Sequence, residues 1–134
     1  MFKRILVPVD LAHEWSWRDA LPAAARQAQD HGAELIAMTV VPEIDPDDLK
    51  RRPQDSVGDL KKLLGEHVPE GLNADAVVKT GSVHRQIRRT AEERGVDLIV
   101  MASHHPEWTD YVIGSNAAQV VLHADCSVLV LRGR

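Results

Sequence analysis

One cysteine, one phenylalanine and one tyrosine stand in 134 residues. With Cys126 alone, no intramolecular disulfide forms, and its place between apolar stretches predicts a buried, inert thiol. His13, His84, His104, His105 and His123 are available, but no His-x3-His or Cys-x2-Cys spacing occurs, so no metal site is expected. Neither a P-loop, nor a Rossmann glycine fingerprint, nor a Ser-His-Asp ordering is present. No apolar run approaches the roughly 20 residues of a membrane span. The start, "MFKRILVPVD", is basic but turns to Pro and Asp too early for a signal-peptide core. A strong charge of one sign is also missing: the formal net charge of -4 offers no general attraction to nucleic acid or to an anionic membrane. These absences predict a soluble, cytoplasmic chain.

What is present is an ordinary globular mixture. Hydrophobic residues make 44% and charged residues 27% of the chain, enough for one sizeable core and a single domain over 1–134. Basic residues cluster at Lys50, Arg51 and Arg52, and at Arg85, Arg88 and Arg89. Helical spacing spreads the second group along a solvent face. Trp15, Trp17 and Trp108 stand out where aromatics are scarce. Trp108 lies in a loop, packing there or covering a ligand or a partner.

The apolar periods alternate in kind. "RILVPV" (4–9) and "ELIAMTVV" (34–41) are branched-rich runs that suit strands buried on both faces. Between them "SWRDALPAAARQAQDHG" (16–32) is helical, with Ser16 and Asp19 resembling a capping box and Gly32 a C-cap. Pro22 within it predicts a later start or a kink. "SVGDLKKLLGEH" (56–67) has helix spacing, and "NADAVVKTG" (73–81) is a third strand. "SVHRQIRRTAEERG" (82–95) is a helix opened by Ser82 and closed by Gly95. "VDLIVMAS" (96–103) is the most apolar strand and is expected at the centre. "GSNAAQVVLHAD" (114–125) and "CSVLVLR" (126–132) give a last helix and strand. Alternating strands and helices imply an α/β, doubly wound, open parallel sheet with helices on both faces.

Ligands of such sheets sit beyond the carboxyl ends of the strands. Those ends carry Pro8, Val9 and Asp10, then Val40, then Met101, Ala102 and Ser103. The long loop "SHHPEWTDYVI" leads into Gly114-Ser115-Asn116 at a helix start, where bare N–H groups can hold an anion. Two readings stay open there: a phosphate site, or plain helix capping by Ser115 or Asn116. Asp10 likewise serves a ligand or caps its own loop.

The segments "ILVPVD", "TVVPE", "GSVHRQI" and above all "DLIVMASHHPEWTDYVIGSNAAQVVLHADCSVLVLR" resemble the universal stress protein (UspA) family. The likeness covers nearly the whole chain, and its last block is similar to the shorter, nucleotide-binding, UspF-like branch. The resemblance implies five parallel strands in the order 3-2-1-4-5, an adenine nucleotide alpha-hydrolase-like fold. It also implies a bound ATP, ADP or AMP. Nucleotide-binding members carry Gly, two residues, Gly, nine residues, then Gly-Ser or Gly-Thr. Here Ala102 and His105 stand for the two glycines, and eight residues lead to Gly114-Ser115. By position, Pro8 and Val9 would line the base side and the Val40 backbone would meet adenine. Asp10 would serve the ribose or a bound Mg2+. Met101, Ala102 and Ser103 would underlie ribose and phosphates. His105 would contact or obstruct phosphate, and Gly114, Ser115, Asn116 and Ala117 would hold it.

Three functions follow as expectations. The first is a nucleotide-binding stress or regulatory protein, at most a slow ATPase, since no base beyond Asp10 and no arginine is placed for phosphoryl transfer. The second is a dimeric interaction protein without nucleotide, favoured by Ala102 and His105 and disfavoured by Gly114-Ser115-Asn116. The third, an enzyme of the related hydrolase fold, lacks room for a second substrate domain. An unknown protein partner is compatible with each. In the implied order "CSVLVLRGR" forms an edge strand, and residues 127–132 are expected to pair antiparallel in a homodimer.

Overall fold

The computed structural model describes residues 1–41, 53–103 and 114–132. Lys50 to Arg52, His104, His105 and Trp108 lie outside the described residues, so what was expected of them is not taken further.

The strands are β1 (Arg4–Pro8), β2 (Glu34–Val41), β3 (Ala74–Thr80), β4 (Leu98–Ala102) and β5 (Ser127–Leu131). The helices are α1 (Ala20–His31), α2 (Pro53–His67), α3 (Val83–Glu93) and α4 (Ser115–His123). One sheet holds all the strands in the order β3-β2-β1-β4-β5, and every neighbouring pair is parallel. The expected fold class and order are therefore observed. One detail differs: β1, not the more apolar β4, takes the middle place. All interior strands of a parallel sheet are covered on both faces, so apolarity does not rank them.

Strand side chains alternate between faces. Ile5, Val7, Leu35, Ala37, Leu98 and Val100 pack toward α1 and α2. Leu6, Ile36, Met38, Ile99 and Met101 pack toward α3 and α4. On α1 the buried positions Ala20, Ala24, Ala25 and Ala28 have short side chains that let the helix approach β1 closely.

Ser16 does not open α1. It ends a 3-10 turn over Glu14–Ser16, and Asp19 takes the N-cap position without a side-chain cap bond. Pro22 then falls in the first turn, where its missing N–H leaves no helical bond unmade. Gly32 closes α1 as expected, in the left-handed conformation at φ 64 that costs glycine nothing. Cys126 is half-buried rather than buried, because it precedes an edge strand. Burial still pushes its thiol up from the ordinary value, which keeps it protonated and unreactive. Arg88 departs from the expected solvent face: it is half-buried and its Nε is buried without a partner among the described residues.

Candidate functional site

The sheet parts between β1 and β4. Their ladder joins Ile5 with Leu98 and Leu6 with Ile99 and then stops, although β1 runs to Pro8 and β4 to Ala102. Backbone groups of successive strand residues turn to alternate neighbours. The Val9 N–H bonds Met38 O on β2 at 2.8 Å, so position 8 faces β4, where proline has no N–H to give. The crossovers also reverse direction here, one going out to β2 and one to β4. This is the switch-point crevice that open α/β sheets use for ligands.

A cavity of about 280 Å³ fills the crevice, close to the lower bound of about 300 Å³ for ligand pockets. Every described residue that the sequence nominated lines it: Pro8, Val9, Asp10 and Val40, then Met101, Ala102 and Ser103, and Gly114 through Ala117. Four further residues line it that the sequence did not nominate: Trp15, Ser16, Val83 and Ile87. Val83 and Ile87 sit one turn apart on α3, directly after β3, a spacing that could have flagged them. Among the described lining residues Asp10 alone is ionisable. An anion there would be met by amides and hydroxyls rather than by cationic side chains.

The start of α4 is held in place by backbone. Ser103 N–H bonds Leu131 O at 2.9 Å, and Gly114 N–H bonds Ser103 O at 2.9 Å. These bonds fix the helix start against the end of β4. Gly114 is the N-cap at φ -58, ψ 147, a residue with no side chain of its own to cap the helix. Ser115 and Asn116 are therefore first-turn residues, and neither acts as the plain cap considered from the sequence. The first-turn amides open on the cavity with the positive end of the helix dipole behind them.

Asp10 organises the loop that forms the opposite wall. Its Oδ1 accepts the Ala12 N–H at 3.0 Å, and its Oδ2 lies 2.8 Å from His13 Nδ1. The side chain remains half-exposed, so each oxygen keeps a lone pair for another partner. Behind it, the Ser16 hydroxyl accepts the Asp10 N–H at 2.8 Å. The same hydroxyl reaches Asp10 O at 2.9 Å and His13 O at 2.7 Å, its one hydrogen shared between them. Ser16 is buried, and these bonds close the turn that carries Trp15. Among the described residues no group of three His, Cys, Asp or Glu side chains could share a metal ion. No helix among them is long and apolar enough to cross a membrane.

Comparison with known proteins follows the same outline. The model of the "Universal stress protein family" matches residues 1–132. Universal stress protein G of Shigella flexneri is 29% identical across 98% of this chain and 100% of that protein. The crystal structure of a universal stress protein in complex with cAMP superposes with a TM-score of 0.77 at 18% identity, covering 99% of each chain. The structure of the universal stress protein from Archaeoglobus fulgidus in complex with dAMP gives a TM-score of 0.67 at 20% identity, over 97% of this chain and 98% of that one. At these identities the two structural likenesses speak for the fold.

Proposed function

The chain belongs to the universal stress protein family, and we propose that it binds an adenine nucleotide, ATP, ADP or AMP, as a regulatory or stress-response factor in the cytoplasm. The observation that carries this reading is the glycine start of α4 lining an apolar crevice at the switch point. Adenine needs an apolar slot with backbone donors and acceptors, which Pro8, Val9 and Val40 supply. Phosphates need N–H groups and hydroxyls, which Gly114 to Ala117 supply. Met101, Ala102 and Ser103 form the floor between them. Asp10 takes the ribose hydroxyls or a Mg2+ carried by the phosphates. Turnover is at most slow, because Asp10 is the one candidate base in the described lining. Two copies associate through the outer edge of β5. The alternative, a dimeric member without nucleotide, is favoured by Ala102 standing where nucleotide-binding members have glycine.

Gly114→Val separates the two. The Gly114 backbone at φ -58, ψ 147 is a conformation that any residue adopts, so valine brings no backbone strain. Its branched side chain occupies space beside the first-turn amides. Calorimetric titration with ATP should show binding to the wild type and none to the variant, with unchanged circular dichroism. Equal heats from both proteins remove the α4 start from the site, and no heat from either supports the alternative.

A further inference from the structure

Asp10 alone among the described lining residues is ionisable, so the direction of its carboxylate decides what the crevice offers besides amides and hydroxyls. Its backbone is held from both sides of the switch point. On one side the Val9 N–H, one residue earlier, bonds Met38 O of β2 at 2.8 Å. On the other the 3-10 turn Glu14–Ser16 lies against β4 and sends back the Ser16 hydroxyl. Ser16 Oγ stands 2.8 Å from Asp10 N and 2.9 Å from Asp10 O. One small side chain thus grips the peptide groups before and after the Asp10 Cα, and the rotamers open to a side chain follow from that backbone. Ser16 is buried, where hydrogen bonds are stronger than in water. The carboxylate itself is held only by its own turn, through the Ala12 N–H and His13 Nδ1. That turn closes by the His13 N–H on Asp10 O at 3.0 Å, and Ser16 fastens it again at His13 O.

From this geometry we infer that Ser16 is a positioning residue of the crevice: its hydroxyl aims the Asp10 carboxylate at the ligand. The inference rests on the reading of Asp10 as the contact to the ribose or to Mg2+, and adds what holds that contact in place. Ser16 lines the cavity as well, but its one hydrogen is already shared between two carbonyls, which leaves none to give to a phosphate. Its effect therefore passes through Asp10. A carboxylate that is fixed beforehand does not have to be immobilised when the ligand binds, and that spares affinity. Without the hydroxyl, the turn at 10–13 keeps its internal bonds but loses its tie to the segment lying on β4. Asp10 then points with its loop rather than with the sheet.

A double-mutant cycle tests this, read by calorimetric titration of the full chain with AMP in the presence of Mg2+. Ser16→Ala is expected to weaken AMP about fivefold, the cost of ordering one side chain and its loop on binding. Asp10→Ala should weaken it at least as much. Ser16→Ala added to Asp10→Ala should cost nothing further, because no carboxylate remains to be aimed. A role confined to stability would not produce this coupling. Ser16→Cys keeps a similar volume with a weak donor and acceptor; it should repeat the pattern, and it replaces Ser16→Ala should that variant not fold by circular dichroism. Losses that add in the double variant overturn the inference, since Ser16 would then act on the ligand or on the crevice directly. Wild-type affinity in the folded Ser16 variants, or in Asp10→Ala, overturns it too while leaving the nucleotide reading intact. A wild type that binds neither AMP nor ATP overturns both.

Discussion

Against one face of the sheet lie α1 and α2, whose inward residues Leu21, Ala24, Ala28 and Leu60 are fully buried. Against the other lie α3 and α4, and this side holds the unpartnered buried polar groups. Each described side-chain nitrogen or oxygen that is buried without a partner belongs to α3: His84 Nδ1, Arg88 Nε and Thr90 Oγ1. Apart from the N-terminal Met1, the exposed large apolar side chains among the described residues, Val83, Val121 and Leu122, also belong to α3 and α4. So do the helical parts of the crevice, and a smaller cavity of about 200 Å³ at the other end of the same helix pair, lined by Arg88, Glu92 and His123 among others. A ligand site needs unfilled volume and unspent hydrogen-bonding groups, both of which cost stability. The division places the unspent buried groups on the α3–α4 face, while open volume is found on both sides, with a cleft of about 540 Å³ between the end of α1 and the start of β2.

The sharpest attack on this division is a matched pair of truncations. Leu60 and Ile87 are both buried, at 0% and 1% exposure, one on each face. Leu60→Ala should lower the unfolding free energy by about 2–5 kcal/mol in urea titration. It should leave AMP affinity unchanged at temperatures where the protein is folded. Ile87→Ala should destabilise by a similar amount and also weaken AMP, because Ile87 lines the crevice. If Leu60→Ala weakens AMP as much as Ile87→Ala does, the faces are not divided in this way.

The division is partly legible in the sequence. β2 was read with its observed bounds because Gly32 and Pro42 punctuate it, and both act through local backbone chemistry. The strand ends led to the crevice because in a parallel sheet all carboxyl ends lie together. Trp15 and Ser16 were missed for a specific reason. Ser16 three residues before Asp19 imitates a helix start, and nothing local reveals that its hydroxyl is spent on Asp10 instead. Arg88 was placed in solvent because a charge on a helix usually is. Its inward turn depends on α4 packing beside α3, which no spacing within α3 encodes.

The two edges of the sheet extend the comparison. β3 carries Asp75 and Lys79, which pair with Arg94 and Glu93. Charges on an edge discourage pairing with another chain. β5, Ser127–Leu131, has no charged residue. Leu131 O accepts from Ser103, so positions 127, 129 and 131 turn their backbones toward β4, and positions 128 and 130 turn theirs outward. Val130→Pro therefore removes an N–H from the free edge while sparing the β4 ladder, a place where proline is tolerated. Light scattering after size exclusion should give a wild-type dimer and a monomeric variant with unchanged circular dichroism. A wild-type monomer at micromolar concentration, or a variant that remains a dimer, excludes this edge as the interface.

The smallest expected effect lies in the seam between α3 and α4. Burial lowers the His84 imidazole below its ordinary value, and the positive charges of Arg88 and Arg85, with His123, lower it further. The folded chain therefore takes up this proton at lower pH than the unfolded chain does. Above about pH 6.5 His84 is neutral in both states and contributes no pH dependence. As pH falls through that value the unfolded state binds the proton first, so stability declines until the folded state is protonated as well. Asp75 adds nothing in this window. Its hydrogen bond from Arg94 holds its carboxyl below the usual carboxylate range, and its own loss of stability comes at still lower pH. His84→Gln should accordingly flatten the decline in melting temperature between about pH 7.5 and pH 5.5 relative to the wild type. Parallel curves for wild type and His84→Gln would show that the α3–α4 seam accepts the proton without strain, and that its unpaired groups are better solvated than their burial implies.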